Sequence, residues 1–401
     1  KERELTKGIK VKGVLDELKV NRTLVTPNAI AASITLEGNL NIIIDELNDI
    51  KERYGDERRT DISYADDEIS IEDMIPNKEV VISISQLGYI KRTESSEYKA
   101  QSRGGRGSRG SKTRDTDIVE HLFVADAHNY ILFFTEKGRC FWIRAYEIPE
   151  ASKVSAGRVI QNIIQMPKDD KVRSYIVVKD LTDEQWLKNN YVIFCTKQGL
   201  VKKTVMEKFS RPRTNGINAI TINEGDQLLE AKLTNGENEI LIANRNGRAI
   251  RFPEAKVRSM GRSAAGVRGI RLDEDADDYV IGMLSVDPTD PEVTIFVISE
   301  KGSGKRSQLY EYRITNRGGK GVKTMKVTEK TGKVVAIKYV TFHDHLMITT
   351  VGGIMIRLAA SDLRVMGRAT QGVRVINLGT KDKIADVAVI RRDEHSSDEE
   401  E

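Results

Sequence analysis

Cationic side chains recur at one position of a pattern that repeats six times along the chain. Each repeat has an apolar run, a short polar turn with a glycine, and a second run. Four residues after that glycine stand Arg92, Trp142, Lys203, Arg251, Arg306 and Arg357. In the repeat that has Trp142, Arg144 follows two residues later. Charges at a regular interval suit a polyanion with regularly spaced phosphates, such as duplex DNA. The competing interpretation is that lysine and arginine are common on any exposed strand face.

A second basic feature is a glycine-rich loop after each turn. Glycine lets backbone N–H groups approach a phosphate, and arginine neutralises the phosphate charge. The first loop, "YKAQSRGGRGSRGSK", supplies the candidate DNA-binding residues Gln101, Arg103, Gly104, Gly105, Arg106, Gly107, Arg109 and Lys112. The fifth loop, "YRITNRGGKGVK", adds Arg317 and Lys320. By itself, 101–110 is also typical of a disordered RGG segment in an RNA-binding protein. Because five other loops occupy the equivalent position of the repeat, we expect residues 101–110 to form a loop on a folded domain.

The elements that must position these residues are β-hairpins. The turn glycines are Gly88, Gly138, Gly199, Gly247, Gly302 and Gly353, spaced 48 to 61 residues apart. A second glycine follows each of them by 17 or 19 residues, at Gly105, Gly157, Gly216, Gly266, Gly319 and Gly372. Every repeat closes with a further apolar run, so each supplies about four short strands. Six such units predict a propeller-like ring of six four-stranded blades over residues 79–392.

The charge of the chain is unevenly distributed. The 401 residues carry a formal net charge of +4. Residues 1–78 hold 12 Lys/Arg against 17 Asp/Glu, and residues 393–401 form an acidic tail, "DEHSSDEEE". The predicted ring therefore carries a net charge of +15. A basic body with an acidic tail indicates a polyanionic partner, and the tail can compete with that partner for the same surface.

The residues before the ring have a different pattern. Apolar residues at helical spacing and a glycine at Gly55 predict an amphipathic helix over 37–54, within a helical segment of residues 1–59. Residues 60–78 are acidic and are interpreted as a linker. No apolar run reaches the roughly 18–20 residues of a membrane span, and the first ten residues lack the apolar core of a signal peptide. Cys140 and Cys195 lie in apolar runs, as buried free thiols of a cytoplasmic protein do.

The sequence contains no pattern of a self-sufficient active site. It has neither a G-x-x-x-x-G-K-[ST] phosphate loop nor an H-E-x-x-H motif, and no cysteine–histidine spacing typical of zinc. The five histidines form no evident ligand set. We therefore expect this chain to hold no cofactor or metal of its own and to be inactive alone.

Several stretches resemble a known family, the A subunits of DNA gyrase, which are bacterial type II topoisomerases. "QSRGGRG" (101–107) is similar to the family's Q-R-R-G-G-K-G box, with Ser102 in place of an arginine and Arg106 in place of a lysine. Further similar stretches are "YGDERRT" (54–60), "GYIKRT" (88–93), "EHLFVA" (120–125), "LFFTEKGR" (132–139) and "YEIPEAS" (146–152). The resemblance is close over about 37–160, and the repeat pattern extends it to about 392.

The resemblance implies a six-bladed β-pinwheel, a relative of the propeller in which neighbouring blades exchange strands. It implies that duplex DNA wraps around the basic rim, held in part by the box, so that the enzyme introduces negative supercoils. Residues 1–59 would be the end of a coiled-coil-like arm. The catalytic tyrosine, the magnesium-binding acids and the ATP site would lie in absent domains or on the gyrase B subunit. The implied partners are duplex DNA, a second copy of the gyrase A protein and the gyrase B subunit, with no membrane.

Two alternatives remain open besides the RGG protein. The A-type subunit of topoisomerase IV is a close relative, but its C-terminal domain usually has fewer blades and an eroded box, so six repeats favour gyrase. A propeller-type scaffold that binds an acidic protein would also use a periodic set of cations. Recurrence of arginine and glycine in every loop favours DNA over a protein partner.

Overall fold

The computed structural model describes residues 36–55, 71–85, 87–95, 119–152, 155–273, 277–352, 354–379 and 382–390. The chain divides into two units, Lys1–Ile69 and Ser70–Glu401, and each is described by itself. In the first unit, helix α1 spans Leu36–Tyr54, which confirms the helix predicted over 37–54. The Gly55 N–H donates to the Lys51 carbonyl at 2.8 Å and ends the helix. No helix among the described residues is long and apolar enough to span a membrane.

The second unit is built almost wholly from short strands. In chain order these are β1 (Glu79–Ser85), β2 (Tyr89–Glu94), β3 (Val119–Asp126), β4 (Tyr130–Thr135), β5 (Arg139–Arg144), β6 (Arg158–Val159), β7 (Val172–Val178), β8 (Tyr191–Thr196), β9 (Leu200–Val205), β10 (Ile217–Asn218), β11 (Leu228–Thr234), β12 (Glu239–Asn244), β13 (Arg248–Pro253), β14 (Val267–Arg268), β15 (Val280–Val286), β16 (Thr294–Ser299), β17 (Ser303–Gln308), β18 (Val322–Lys323), β19 (Val334–Val340), β20 (His345–Thr350), β21 (Met355–Ala359), β22 (Val373–Arg374) and β23 (Ile384–Ile390). One short helix, α2 (Glu184–Asn189), lies between β7 and β8.

The strands form six antiparallel sheets, which confirms the predicted six-bladed architecture. Across sheets one to five the orders are β3-β1-β2-β6, β7-β4-β5-β10, β11-β8-β9-β14, β15-β12-β13-β18 and β19-β16-β17-β22. Sheet six has the order β23-β20-β21 among the described residues. The two central strands of sheets one to five, and β20 and β21 of sheet six, form the predicted hairpins. The glycines of the first five turns have φ between +79° and +84°, which is why the turns need glycine.

Neighbouring sheets exchange strands. The two-residue strand β6 follows the hairpin of sheet two in the chain, yet it pairs with β2 of sheet one. The strands β10, β14, β18 and β22 each join the preceding sheet in the same way. The exchange, which the resemblance alone implied, is therefore confirmed. Each sheet is completed by the next repeat, so the repeats are connected through backbone hydrogen bonds as well as side-chain packing.

Contacts between sheets show which edge of each sheet faces the ring axis. Strands β7, β11, β15, β19 and β23 touch one another from sheet to sheet. These strands form the inner edges, so the two-residue strands at the opposite edges form the outer rim. The core lies between successive sheets. On β4, Ile131 and Phe133 pack towards sheet one, whereas Leu132 and Phe134 pack towards sheet three. Burial on both faces explains the continuous apolar runs, since successive side chains point to opposite faces.

The end of the predicted acidic linker contacts the propeller. Residues Ile71–Met74 form a 3₁₀ helix. The Glu72 carboxylate lies 2.7 Å from Arg144 Nη2, and His128 Nε2 lies 2.7 Å from the Ile75 carbonyl. Residues 71–78 are therefore bound to the first two sheets.

Candidate nucleic-acid interface

Most of the cations in the predicted periodic column are buried. Lys203, Arg251 and Arg306 are 7%, 8% and 5% exposed. Burial lowers the pKa of Arg306. Each residue lies on the second strand of a central hairpin. There the chain of the next repeat crosses the hairpin and pairs with the backbone of that residue. The sequence predicted cations facing DNA, whereas the structure places these three inside the protein.

The column is a set of N–H donors to the next repeat. Every repeat from the second to the sixth has a short 3₁₀ helix after its hairpin, at Ala145–Glu147, Met206–Phe209, Glu254–Lys256, Leu309–Glu311 and Ala360–Asp362. Arg251 Nη1 donates to the carbonyls of Leu309 and Tyr312 at 2.8 and 3.1 Å. Arg306 Nε donates to the Leu363 carbonyl at 3.0 Å. The Leu309 carbonyl also accepts a hydrogen bond from the Tyr312 N–H at 3.1 Å. Tyr312 and Leu363 directly follow their 3₁₀ helices, and a buried donor from the previous sheet satisfies their carbonyls.

Trp142 shows which chemical property the column residues share. Its Nε1–H donates to the Phe209 carbonyl at 3.0 Å, in the position that arginine or lysine takes in other sheets. Lys203 Nζ makes the corresponding contact with the Glu254 carbonyl at 3.4 Å. The position therefore needs an N–H donor of sufficient length, and a positive charge is one way of providing it.

The remaining column residues and Arg144 are partly or fully accessible. Arg92 Nε donates to the Ile148 carbonyl at 2.7 Å, and its Nη2 lies 3.0 Å from Glu150. Arg144, besides its contact with Glu72, stacks over the Tyr130 ring at 3.6 Å. Arg357 is exposed, and its Nε lies 3.1 Å from His345 Nδ1. Contact of the column residues with DNA stays a prediction.

The loop candidates divide into two groups. Gln101, Arg103, Gly104, Gly105, Arg106, Gly107, Arg109 and Lys112 lie outside the described residues. In the fifth loop, Arg317 donates to the carbonyls of Lys256 and Arg268, each at 3.1 Å, and so connects two repeats. Lys320 is exposed and forms an ion pair with Asp273 at 3.1 Å. DNA contact by the loop residues also stays a prediction.

The second glycine of the fifth repeat was assigned wrongly. Gly157, Gly216, Gly266 and Gly372 have positive φ directly before a two-residue outer strand, but the equivalent residue before β18 is Gly321, with φ +70°, and not Gly319. A Cβ on Gly321 would lie 2.3 Å from the Ala249 carbonyl oxygen of the previous sheet. These glycines allow the exchanged chain to pass close to its neighbour's backbone. The offset for this repeat is therefore 19 residues.

The corrected alignment shows a second column of cations, and its members are exposed. Two residues after the loop glycine stand Arg268, Lys323 and Arg374, on the outer strands of sheets three, four and five. Arg158 is exposed one residue after Gly157. These residues are absent from the candidates predicted from the sequence, because the spacing that they share depends on Gly321 and not on Gly319. We call Arg268, Lys323 and Arg374 the rim cations.

No three His, Cys, Asp or Glu side chains in the part of the chain that the structure describes are placed to hold a metal ion. Cys140 and Cys195 are free and buried, as predicted, and burial raises the pKa of both thiols well above its ordinary value.

Comparison with known proteins identifies the repeat. The family model described as the DNA gyrase C-terminal domain, a β-propeller, matches residues 79–126, 129–179, 190–235, 238–287, 294–341 and 344–391. The chain belongs to the DNA gyrase C-terminal domain family. Among its relatives, the DNA gyrase A protein of Staphylococcus epidermidis is 43% identical over 356 residues, which cover 88% of this chain and 39% of the relative. The corresponding Staphylococcus aureus protein is 42% identical over 363 residues, which cover 90% and 40%. The chain thus spans about two-fifths of the length of these gyrase proteins.

Solved structures agree with this family and with its fold. The C-terminal domain of DNA topoisomerase IV has a TM-score of 0.66 and 25% identity, covering 79% of this chain and 94% of that one. A DNA gyrase A C-terminal domain has a TM-score of 0.63 and 24% identity, covering 78% and 100%. The second likeness supports the fold alone.

Proposed function

We propose that this chain is the DNA-binding and DNA-wrapping portion of a DNA gyrase A protein. The observation that carries the proposal is the set of rim cations. Arg268, Lys323 and Arg374 occupy equivalent positions on the outer strands of three successive sheets, and all three are exposed. A duplex that follows the rim meets one cation per sheet, and it must bend to keep these contacts.

The distribution of acidic side chains supports a path along the rim. Exposed carboxylates gather in the connections from an inner strand to the next sheet, at Asp183 and Glu184 before β8 and at Asp287, Asp290 and Glu292 before β16. Phosphates would be repelled from these connections and attracted to the outer strands. The box residues 101–107 belong to the proposed surface on sequence grounds.

In the full enzyme, this portion would present a wrapped DNA segment of fixed handedness to the site of strand passage. The catalytic tyrosine, magnesium and ATP belong to other domains of the gyrase A protein or to the gyrase B subunit. The assembly would contain two copies of the A protein, and it would act on chromosomal DNA in the bacterial cytoplasm. Topoisomerase IV is the second candidate, because the C-terminal domain of that enzyme has the same fold. The gyrase relatives at 42–43% identity favour gyrase.

The test is a change of linking number. The purified chain is incubated with nicked circular DNA, the nick is sealed by ligase, the protein is removed, and the linking-number shift is measured. The variant Arg268→Gln/Lys323→Gln/Arg374→Gln removes the rim cations. The matched control is Lys179→Gln/Lys188→Gln/Lys208→Gln. It removes three exposed lysines that lie near the ends of the hairpins remote from the glycine turns.

We expect a chiral shift with the wild type and the control, and a smaller shift with the rim variant. If each rim cation neutralises one phosphate, the slope of log affinity against log salt falls by about 2.7 in the rim variant, since each contact contributes about 0.9. Duplex binding without any shift would overturn wrapping. Preference for single-stranded RNA, or no binding of duplex at all, would favour the RGG protein or the protein scaffold instead.

A further inference from the structure

Alternate sheets carry a buried lysine that the proposed function does not use. Three residues after the turn glycine stand Lys91, Lys202 and Lys305 in sheets one, three and five, with exposed fractions of 2%, 0% and 0%. Sheets two and four have Phe141 and Ile250 at this position, also buried. The six-fold ring therefore has a period of two sheets at this position. Because an apolar side chain serves in the even sheets, the fold itself does not require an amine there.

Each lysine binds a tight turn at the outer rim. Lys91 Nζ donates to the carbonyls of Ser152 and Ser155 at 3.2 and 2.8 Å. Lys202 Nζ donates to the carbonyls of Ala219 and Arg262, each at 2.6 Å.

In sheet five, Lys305 Nζ donates to the Gly367 carbonyl at 2.7 Å and to Thr370 Oγ1 at 3.1 Å. Residues 261–264 and 367–370, bound by Lys202 and Lys305, are each closed by a hydrogen bond from the fourth N–H to the first carbonyl. We call them the lysine-bound turns.

The buried lysine determines which backbone groups of the turn face the rim. Carbonyls drawn inward leave the N–H groups at the middle of the turn to point towards the rim. The N–H groups of Arg262, Ser263 and Ala369 have no hydrogen-bond partner among the residues that the structure describes. Both turns are followed by a loop glycine and then by an exposed arginine, at Arg268 and Arg374.

One lysine-bound turn already holds an anionic oxygen. The Arg368 N–H donates to Glu311 Oε2 at 2.6 Å, and Arg368 Nε donates to the Glu311 carbonyl at 2.9 Å. A carboxylate oxygen and a phosphate oxygen accept hydrogen bonds in similar ways. The equivalent residue of the next repeat, Asp362, is exposed and makes no such contact in the part of the chain described. Glu311 therefore occupies the position on the turn where a phosphate would bind.

We propose that the two lysine-bound turns are binding sites for phosphodiester oxygens of duplex DNA, with Lys202 and Lys305 as positioning residues that do not touch the DNA. The inference rests on the proposed function. It adds that strong phosphate contacts recur at every second sheet. At the turn of sheet five, the phosphate must displace the Glu311 carboxylate.

Two variants of opposite expected effect test the sites. Lys202→Met/Lys305→Met removes the amines and keeps the length of the side chains. Its matched control is Ile250→Met, at the same position of sheet four. Glu311→Gln removes the competing carboxylate, and Asp362→Asn removes an equal charge one repeat later. The measurements are duplex affinity and ethylation interference, which identifies the phosphates whose modification blocks binding.

For the wild type we expect one cluster of sensitive phosphates at each of the two turns. The double lysine variant should lose two clusters and about tenfold in affinity for each turn, the loss of about one charge-assisted hydrogen bond. Glu311→Gln should bind duplex a few-fold more tightly than Asp362→Asn.

The inference is overturned if the wild type binds duplex while the double lysine variant matches Ile250→Met in its interference pattern. If the lysine variant does not fold, equal affinities of Glu311→Gln and Asp362→Asn overturn it. Failure of the wild type to bind duplex would overturn the proposed function itself.

Discussion

Replacing Arg251 by methionine should destabilise the propeller strongly and leave its intrinsic affinity for DNA unchanged. The Arg251 guanidinium forms an ion pair with Glu239, and both side chains are only 9% exposed. The same guanidinium satisfies the carbonyls of Leu309 and Tyr312 in the next repeat. The substitution leaves a buried carboxylate without its cation and removes one donor from each of two buried carbonyls, of which Leu309 keeps the Tyr312 N–H.

Removing one partner of a buried ion pair costs about 3–5 kcal/mol. With an m value of about 3 kcal/mol/M in urea, a loss of about 4 kcal/mol lowers the midpoint of unfolding by about 1.3 M. The double variant Arg251→Met/Glu239→Gln also removes the stranded charge, so it should recover a large part of that loss. Unfolding is followed by circular dichroism and by tryptophan fluorescence, since Trp142 and Trp186 both lie in the second unit.

Duplex affinity is measured below the unfolding transition, with the rim variant Arg268→Gln as the comparison. Arg251→Met should shift the urea midpoint without changing the slope of log affinity against log salt, whereas Arg268→Gln should flatten that slope without changing the midpoint. An unchanged midpoint together with a weaker, flatter salt dependence for Arg251→Met would refute the structural role of the column and restore it as a DNA contact.

Gly321→Ala should cost at least about 1–2 kcal/mol in urea unfolding because of its positive φ, whereas Gly319→Ala should be nearly neutral; equal effects would contradict the corrected alignment. Burial lowers the pKa of Lys305 from 10.5 to about 8, so between pH 8 and 10.5 the unfolded chain binds more protons at this residue than the folded chain. Its contribution to stability should therefore rise with pH across that window, and the rise measured by urea unfolding should be smaller in Lys305→Met. The thiols of Cys140 and Cys195 should react with a thiol reagent only as the protein unfolds, and rapid labelling in the native state would show that they are accessible.

The number of blades and the position of every hairpin could be predicted from local sequence. Short apolar runs and a glycine at each turn are local features, since a tight hairpin turn needs positive φ wherever it occurs. For the same reason helix α1 could be predicted to within one residue at its start. Burial of Cys140 and Cys195 also followed from the apolar runs around them.

Which cations are buried depends on contacts between repeats. Arg251 and Arg268 are both arginines in recurring columns, and no local property distinguishes them. Arg251 lies where the exchanged chain of the next repeat crosses the hairpin, and Arg268 lies on the exchanged strand itself. The difference in burial arises from strand exchange, which brings together residues about 60 positions apart in the chain. The spacing of residues within one repeat does not reveal these contacts. The same contact explains Trp142, because the buried carbonyl that it meets requires a hydrogen-bond donor, with or without a charge.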